Sequence, residues 1–283
     1  PSIIMWDNAN EGGWNTVYDR DFQELDIQKR EVNHPWAVHD LTNTAHYVNY
    51  DYLSMDNFAP REIFFPTELL HGLYDGGHGA GLEDYWLRMW DHPLCAGGFL
   101  WVFADEAVKR SDTGELDSDG NHAPDGILGP YHEKEGSFYA IREIWSPVHF
   151  EKRYITPEFN GRFRIQNRFH YTNLDQCTFS YQWLDLPGPM DPENSGGENM
   201  DSGMLLKEGA PSVDHLDPGQ SGTLTVPLYE GWKKADVLCM EAHDPKGRLI
   251  MRWSWPVKSP ELSASESLAA DVSIQVMVSV SET

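Results

Sequence analysis

The feature that most constrains this chain is a change of texture at Pro147. Before it, short apolar runs alternate with longer polar or helix-like stretches. Ile3–Trp6, Glu62–Pro66 and Ala96–Phe103 read as strands, with shorter candidates at Ala37–Asp40 and Tyr52–Met55. Gly81–Trp90 carries Leu82, Trp86, Met89 and Trp90 near helical spacing, and Ser137–Trp145 is a second helix that stops at Ser146-Pro147. Continuous apolar strands separated by helices predict a parallel sheet covered on both faces. After Pro147 the helical patterns vanish. Arg162–Tyr171, Thr178–Leu184, Thr223–Leu228, Val237–Ala242 and Leu249–Trp255 alternate with period two, which predicts an antiparallel sandwich of about 110 residues. Ser111–Gly126 and Gly188–Gly203 read as loops, Ser259–Ala270 as a Ser-rich linker, and Asp271–Ser281 as the start of renewed alternation.

Charge narrows the partners. The 283 residues include 45 acidic and 21 basic side chains, a formal charge of −24. Such a surface repels phosphate backbones and anionic membranes, so neither nucleic acid nor a membrane is expected as a partner. No run reaches the length of about 18 apolar residues that a spanning helix needs. Cys95, Cys177 and Cys239 are too few and too scattered for a disulfide framework or a zinc spacing. Eleven tryptophans suit sugar-stacking surfaces as well as cores. Pro1 lies inside what reads as a strand, so the chain is expected to be a piece of a longer protein. The compartment stays open between cytoplasmic, periplasmic and secreted.

Two acids stand just past the best strands of the first region. Glu11 follows Trp6 by five residues in MWDNANEGGWN, and Glu68 follows Pro66 by two in IFFPTELLHG. In a parallel α/β barrel, catalytic side chains sit past the carboxyl ends of strands. The 57 residues between the acids leave room for two or three βα units, so both could reach one rim. Two convergent carboxylates are what glycosidic cleavage requires: one donates a proton to the leaving oxygen, the other attacks the anomeric carbon or activates water. Acids in those places can equally be solvated loop residues.

The order of several short motifs resembles glycoside hydrolase family 2, and within it the β-galactosidase branch. PSIIMWDNANE is similar to that family's acid/base strand. Glu68, His71, Asp84-Tyr85-Trp86 and Gly97-Gly98-Phe99-Leu100-Trp101 follow the order of its nucleophile region, and DGILGP (residues 125–130) and NRFHYTNLDQCTFSYQWL continue it. The resemblance covers most of residues 1–258. It implies a multidomain α/β plus all-β chain: residues 1–147 as the carboxyl-terminal part of a (β/α)8 TIM barrel, about strands four to eight; residues 148–258 as an immunoglobulin-like β-sandwich; residues 259–283 as a linker and the start of a truncated further domain. It implies a retaining hydrolase of terminal β-D-galactosides, with Glu11 as general acid/base and Glu68 as nucleophile. Asn10 would bind the sugar 2-hydroxyl, His71 another hydroxyl, and Trp101 would face the pyranose ring. Asn10 could otherwise be a turn residue, His71 a packed structural histidine, and Trp101 plain core. Gly12 and Gly13 would allow the tight turn that presents Glu11. A raised Glu11 pKa, from nearby Glu68 and apolar walls, would suit the acid.

The family's tyrosine beside the nucleophile aligns here with Asp56 or Asn57, with Tyr47 or Tyr50 as substitutes from another position. The resemblance implies that magnesium is possible in a full-length parent, on glutamate and histidine ligands upstream of this chain, and no cofactor is expected within the chain itself. Five of eight barrel strands would leave open edges. A homo-oligomer could cover them, and the chain alone is expected to be inactive. Two other functions compete: the same chemistry on a β-glucuronide or β-mannoside, and a non-catalytic carbohydrate-binding or scaffold protein. Asp117-Ser-Asp119-Gly-Asn121 loosely resembles a calcium loop but lacks its bidentate Glu, so a solvated acidic loop is expected. His39-Asp40 has no partner serine in a Gly-x-Ser-x-Gly turn.

Overall fold

The computed structural model describes residues 2–54, 61–73, 78–187 and 203–257. Asp56, Asn57, the segment 188–202, the linker from 259 and the final alternating piece lie outside the described residues. The chain divides into two compact units, Pro1–Trp145 and Ser146–Thr283. No helix among the described residues is long and apolar enough to cross a membrane.

In the first unit the strands are short. They are β1 (Met5–Asp7), β2 (Glu31–Asn33), β3 (Val38–His39), β4 (Thr42–Asn43), β5 (Ile63–Phe64), β6 (Leu69–His71) and β7 (Leu100–Trp101), with a hairpin of β8 (Ala107–Lys109) and β9 (Leu116–Ser118). The parallel pairs are β1 with β2, β4 with β5, and β6 with β7, in sequence order. A further parallel bridge joins Phe64 to Cys95. The expected continuous apolar strands are therefore two or three residues each, and the sheet is broken into patches. The cause is local. Ala9, Glu11, Trp36, Asp40, Tyr47 and Leu70 all take positive φ, which interrupts the extended backbone beside or within these strands.

Helices α1 (Asp19–Leu25), α2 (Tyr50–Ser54), α3 (His78–Trp90) and α4 (Gly136–Ile144) complete this unit. Leu82, Tyr85 and Met89, spaced three and four apart, bury one face of α3 against Leu53, Phe64, Leu69, Leu70 and Ile141. The strand expected at Tyr52–Met55 is instead helical from Tyr50 to Ser54. The Asn49 side chain accepts from the Tyr52 amide at 3.0 Å, and the Leu53 carbonyl accepts from Arg88 Nε at 2.9 Å. A capping Asn before the run was the signal for helix. Helix α1 had no counterpart in the sequence reading. It leads into a closed loop in which Asp26 accepts from the amides of Arg30 and Gln28 and from the Trp6 indole. These bonds, led by the Arg30 amide, hold the Asp26 carboxyl down at about 2.

The second unit contains β10 (Val148–Phe150), β11 (Arg162–Asn167), β12 (Thr178–Asp185), β13 (Met204–Gly209), β14 (Ser212–Val213), β15 (Ser221–Thr225), β16 (Val237–His243) and β17 (Leu249–Pro256). They form two four-stranded antiparallel sheets, β10-β11-β15-β14 and β13-β12-β16-β17. The period-two pattern becomes alternating burial. Phe163 and Ile165 point inward from one sheet, and Phe179, Tyr181, Trp183, Leu238 and Met240 from the other, into one core. Trp253 and Trp255 pack at steep angles against Phe150, with centroids 4.8 and 5.1 Å away, so part of the tryptophan surplus is core here.

Candidate active site

One cleft of about 670 Å³ in the first unit is lined by Asn10, Glu11, Glu68, His71 and Trp101, together with Tyr47, Leu73, Glu106, Asp119, His122 and Asp125. All five residues singled out in the sequence thus reach one place. A carboxylate oxygen of Glu11, one of Glu68 and a ring nitrogen of His46 lie within 4.8 Å of one another.

Glu11 stands on a tight turn after β1. The Gly13 amide donates to the Asn10 carbonyl at 2.8 Å. The two residues between, Glu11 and Gly12, have φ of 44° and 76°. Positive φ at both central positions defines a type I′ turn, which glycine adopts freely at Gly12 and Glu11 adopts under strain. Gly13 does not need that freedom. The turn is held from below: Asn8 Nδ2 donates to the Asn15 carbonyl at 3.0 Å and to Asp19 Oδ1 at 2.8 Å. In β1 itself, partial burial pushes the Asp7 carboxyl up, offset in part by a hydrogen bond from Asn33 and the field of His46.

Glu68 is buried at the start of β6. The Tyr47 hydroxyl donates to Glu68 Oε2, and the Tyr47 amide donates to the Glu68 carbonyl at 3.0 Å. So a tyrosine does stand beside Glu68, and it is Tyr47. On the other side His46 Nδ1 lies 3.9 Å from Glu68 Oε1, while His46 Nε2 bonds Thr67 Oγ1 at 2.7 Å. These neighbours follow β4, a pair of polar residues with no apolar pattern in the sequence. The strand is polar: Thr42, Asn43 and Thr44 are buried. Thr44 Oγ1 donates to the His34 carbonyl at 2.7 Å, and Asn43 Nδ2 donates to the Tyr52 hydroxyl at 3.1 Å. A strand stabilised by hydrogen bonds leaves no apolar period to read.

His71 and Trp101 share a buried anchor. Trp101 Nε1 donates to Asp125 Oδ2 at 3.1 Å, and His71 Nε2 lies 3.9 Å from the same oxygen. The Leu73 amide donates to His71 Nδ1 at 3.2 Å, so Nε2 carries the ring proton. Asp125 is only 2% exposed. It belongs to the stretch 111–126 expected to be a loop, as do Asp119, expected in a solvated acidic part of it, and His122, which also line the cleft. The DGILGP motif was the only sequence signal for Asp125.

The donor set Glu11, His46 and Glu68 is a poor match for magnesium, which takes oxygen ligands in near-octahedral geometry. An ion there would also occupy both carboxylates.

No family model matches the chain. It is 24% identical over 258 residues to a β-galactosidase of Priestia megaterium, covering 83% of this chain and 23% of the relative. A β-galactosidase of Actinobacillus pleuropneumoniae is 26% identical over 65% of this chain and 20% of its own length. One of Pectobacterium atrosepticum is 23% identical over 94% and 28%. The chain thus spans about a quarter of the length of these relatives. Among solved structures, the exo-β-D-glucosaminidase CsxA superposes with a TM-score of 0.40 and 10% identity, over 90% of this chain and 36% of that one. The exo-chitosanase CsxA of Amycolatopsis orientalis gives 0.32 and 12%, over 65% and 19%.

Proposed function

We propose that this cleft belongs to a retaining glycoside hydrolase that cleaves terminal β-D-galactosides by double displacement. The observation that carries the reading is the approach of Glu11 and Glu68 oxygens to within 4.8 Å in one cleft. Retaining pairs stand about 5–5.5 Å apart, whereas inverting pairs need about 6.5–9.5 Å to admit a water. In the first step a Glu68 oxygen attacks the anomeric carbon, the glycosidic C–O bond breaks, and the Glu11 proton goes to the leaving oxygen. In the second, Glu11 takes a proton from water, the water oxygen attacks the anomeric carbon, and the Glu68 ester bond breaks. Tyr47 orients the Glu68 carboxylate. Asn10 and His71 are placed for sugar hydroxyls, and Asp125 fixes the edge of Trp101 so that its ring can meet the pyranose.

The sugar assignment draws on the relatives' name. It also draws on the lining, which among the described residues holds Glu11, Glu68, Glu106, Asp119 and Asp125 but no Lys or Arg. A uronide would bring its own negative charge into that field. The ordered parallel segments support reading the first unit as the second half of a (β/α)8 barrel, and the paired sheets support an immunoglobulin-like sandwich. The hydrogen-bonded Tyr47–Glu68 pair speaks against a decayed, purely binding scaffold.

The assay belongs on the intact protein. Glu68→Gln is expected to abolish hydrolysis of a chromogenic β-galactoside, and a 2-deoxy-2-fluoro-galactosyl fluoride is expected to lose its anomeric fluoride and add the 2-deoxy-2-fluorogalactosyl group to the Glu68 peptide. Turnover retained in Glu68→Gln, or a first-formed α-anomer by NMR, overturns the assignment.

A further inference from the structure

Behind the Glu11 turn lies a second group of ligating side chains that the proposed hydrolysis does not use. Asp19 opens α1, His34 follows β2, and His39 sits in β3. One ligand atom from each falls within 4.8 Å of the others. His34 Nε2 donates to both Asp19 oxygens, at 2.9 and 3.0 Å. The His34 and His39 rings approach to 3.9 Å between centroids.

Two details separate this group from an ordinary buried ion pair. His34 is 1% exposed, and a simple Asp–His pair has no need of a second imidazole against it. Finally, one ligand already has an outer partner: Asn8 Nδ2 donates to Asp19 Oδ1 at 2.8 Å, the kind of contact that orients a metal-bound carboxylate. The Asp40 carboxylate lies 3.2 Å from His39 Nδ1, a charge contact without a hydrogen bond.

We propose that Asp19, His34 and His39 form a structural site for a divalent transition metal. Two imidazoles and one carboxylate suit zinc or its first-row neighbours; magnesium and calcium take oxygen donors. Ligand atoms around a tetrahedral zinc stand about 3.4 Å apart for bonds near 2.1 Å, so His34 Nε2 and Asp19, now 2.9 Å apart, would open slightly around an ion. The ion takes the Nε2 lone pair of His34, and the ring proton moves to Nδ1, so that the ligand is a neutral imidazole. The site joins α1, β2 and β3. Asn8 and Trp14 link it to the Glu11 turn: Asn8 bonds the Asn15 carbonyl, and the Trp14 ring meets the His34 ring edge-on at 5.2 Å. Its role is to hold that turn in place.

The test uses zinc with the full chain, read by competition with a chromophoric chelator and by mass spectrometry under native conditions. One zinc per chain is expected. His39→Gln and Asp19→Asn should each weaken it by at least tenfold, while Glu68→Gln leaves it unchanged. His39 is partly exposed, so its variant is expected to fold, as far-UV circular dichroism will check. X-ray absorption of the zinc form should show imidazole scattering with a light N/O shell. The proposal is overturned if wild type takes up no stoichiometric zinc or if His39→Gln binds as tightly. It is also overturned if the signal disappears in Glu68→Gln but persists in His39→Gln, or if the shell lacks imidazole.

Discussion

The two units bury side chains in opposite ways. In the second, Phe163, Trp183, Leu224, Leu238 and Met240 are wholly covered, and its few buried polar residues include Asn167 and Asn173. In the first, the apolar core is a small group around α3, and Ile4, Leu25 and Ile27 are 71%, 83% and 96% exposed. Its interior is instead crowded with Asn33, His34, Thr42, Asn43, Thr44, His46, Glu68 and Asp125. Paired antiparallel sheets supply each other's cover. Short parallel segments depend on helices and loops, and the polar interior here is only partly satisfied: Asn33 Oδ1, His34 Nδ1, His46 Nδ1 and Asp125 Oδ1 have no hydrogen-bond partner among the described residues. The candidate site lies in the unit that gave up apolar burial for polar convergence, as expected if function sets those positions.

That contrast can be broken at three points. The largest effect should come from Trp183→Ala, which opens a cavity in the tightly packed unit. It should cost about 3–5 kcal/mol, seen in urea melts and in hydrogen exchange confined to residues 148–257. Protection lost equally in the first unit would show that the two do not unfold separately. Tyr47→Phe removes a hydrogen bond to a carboxylate. It should cost about 1.5–3 kcal/mol of transition-state stabilisation, roughly ten- to a hundredfold in turnover, with the melt of the second unit unmoved. An unchanged rate would remove Tyr47 from the chemistry. The smallest effect is expected from Ile27→Lys: within about 0.5 kcal/mol if this apolar face is open to water. A markedly larger loss, or a lower sedimentation coefficient, would show that another copy or segment covers it.

The structure also shows which kinds of pattern carry information along a chain. Helices α3 and α4 and strands β11, β12, β16 and β17 were legible because each depends on neighbours two to four residues away, and period 2 or 3.6 records that directly. The positions of Glu11, Glu68, His71 and Trp101 after apolar runs were visible too, and motif order gave them candidate roles. Strand β4 was not visible, because Thr42, Asn43 and Thr44 satisfy themselves through hydrogen bonds rather than burial of apolar surface. Asp125 hid in a stretch whose composition reads as solvent-exposed loop.

The sequence by itself therefore determined two textures, their boundary near Pro147, and a short set of acids and aromatics with the right chemistry. Only the tertiary structure decided that Tyr47, 21 residues before Glu68, is the group that donates to it, and that Asp125 anchors Trp101 from 24 residues away. Those pairings depend on where parallel strands end and how the loops between them close. Loop closure brings together residues whose separation follows no period, so no local pattern in the chain records it.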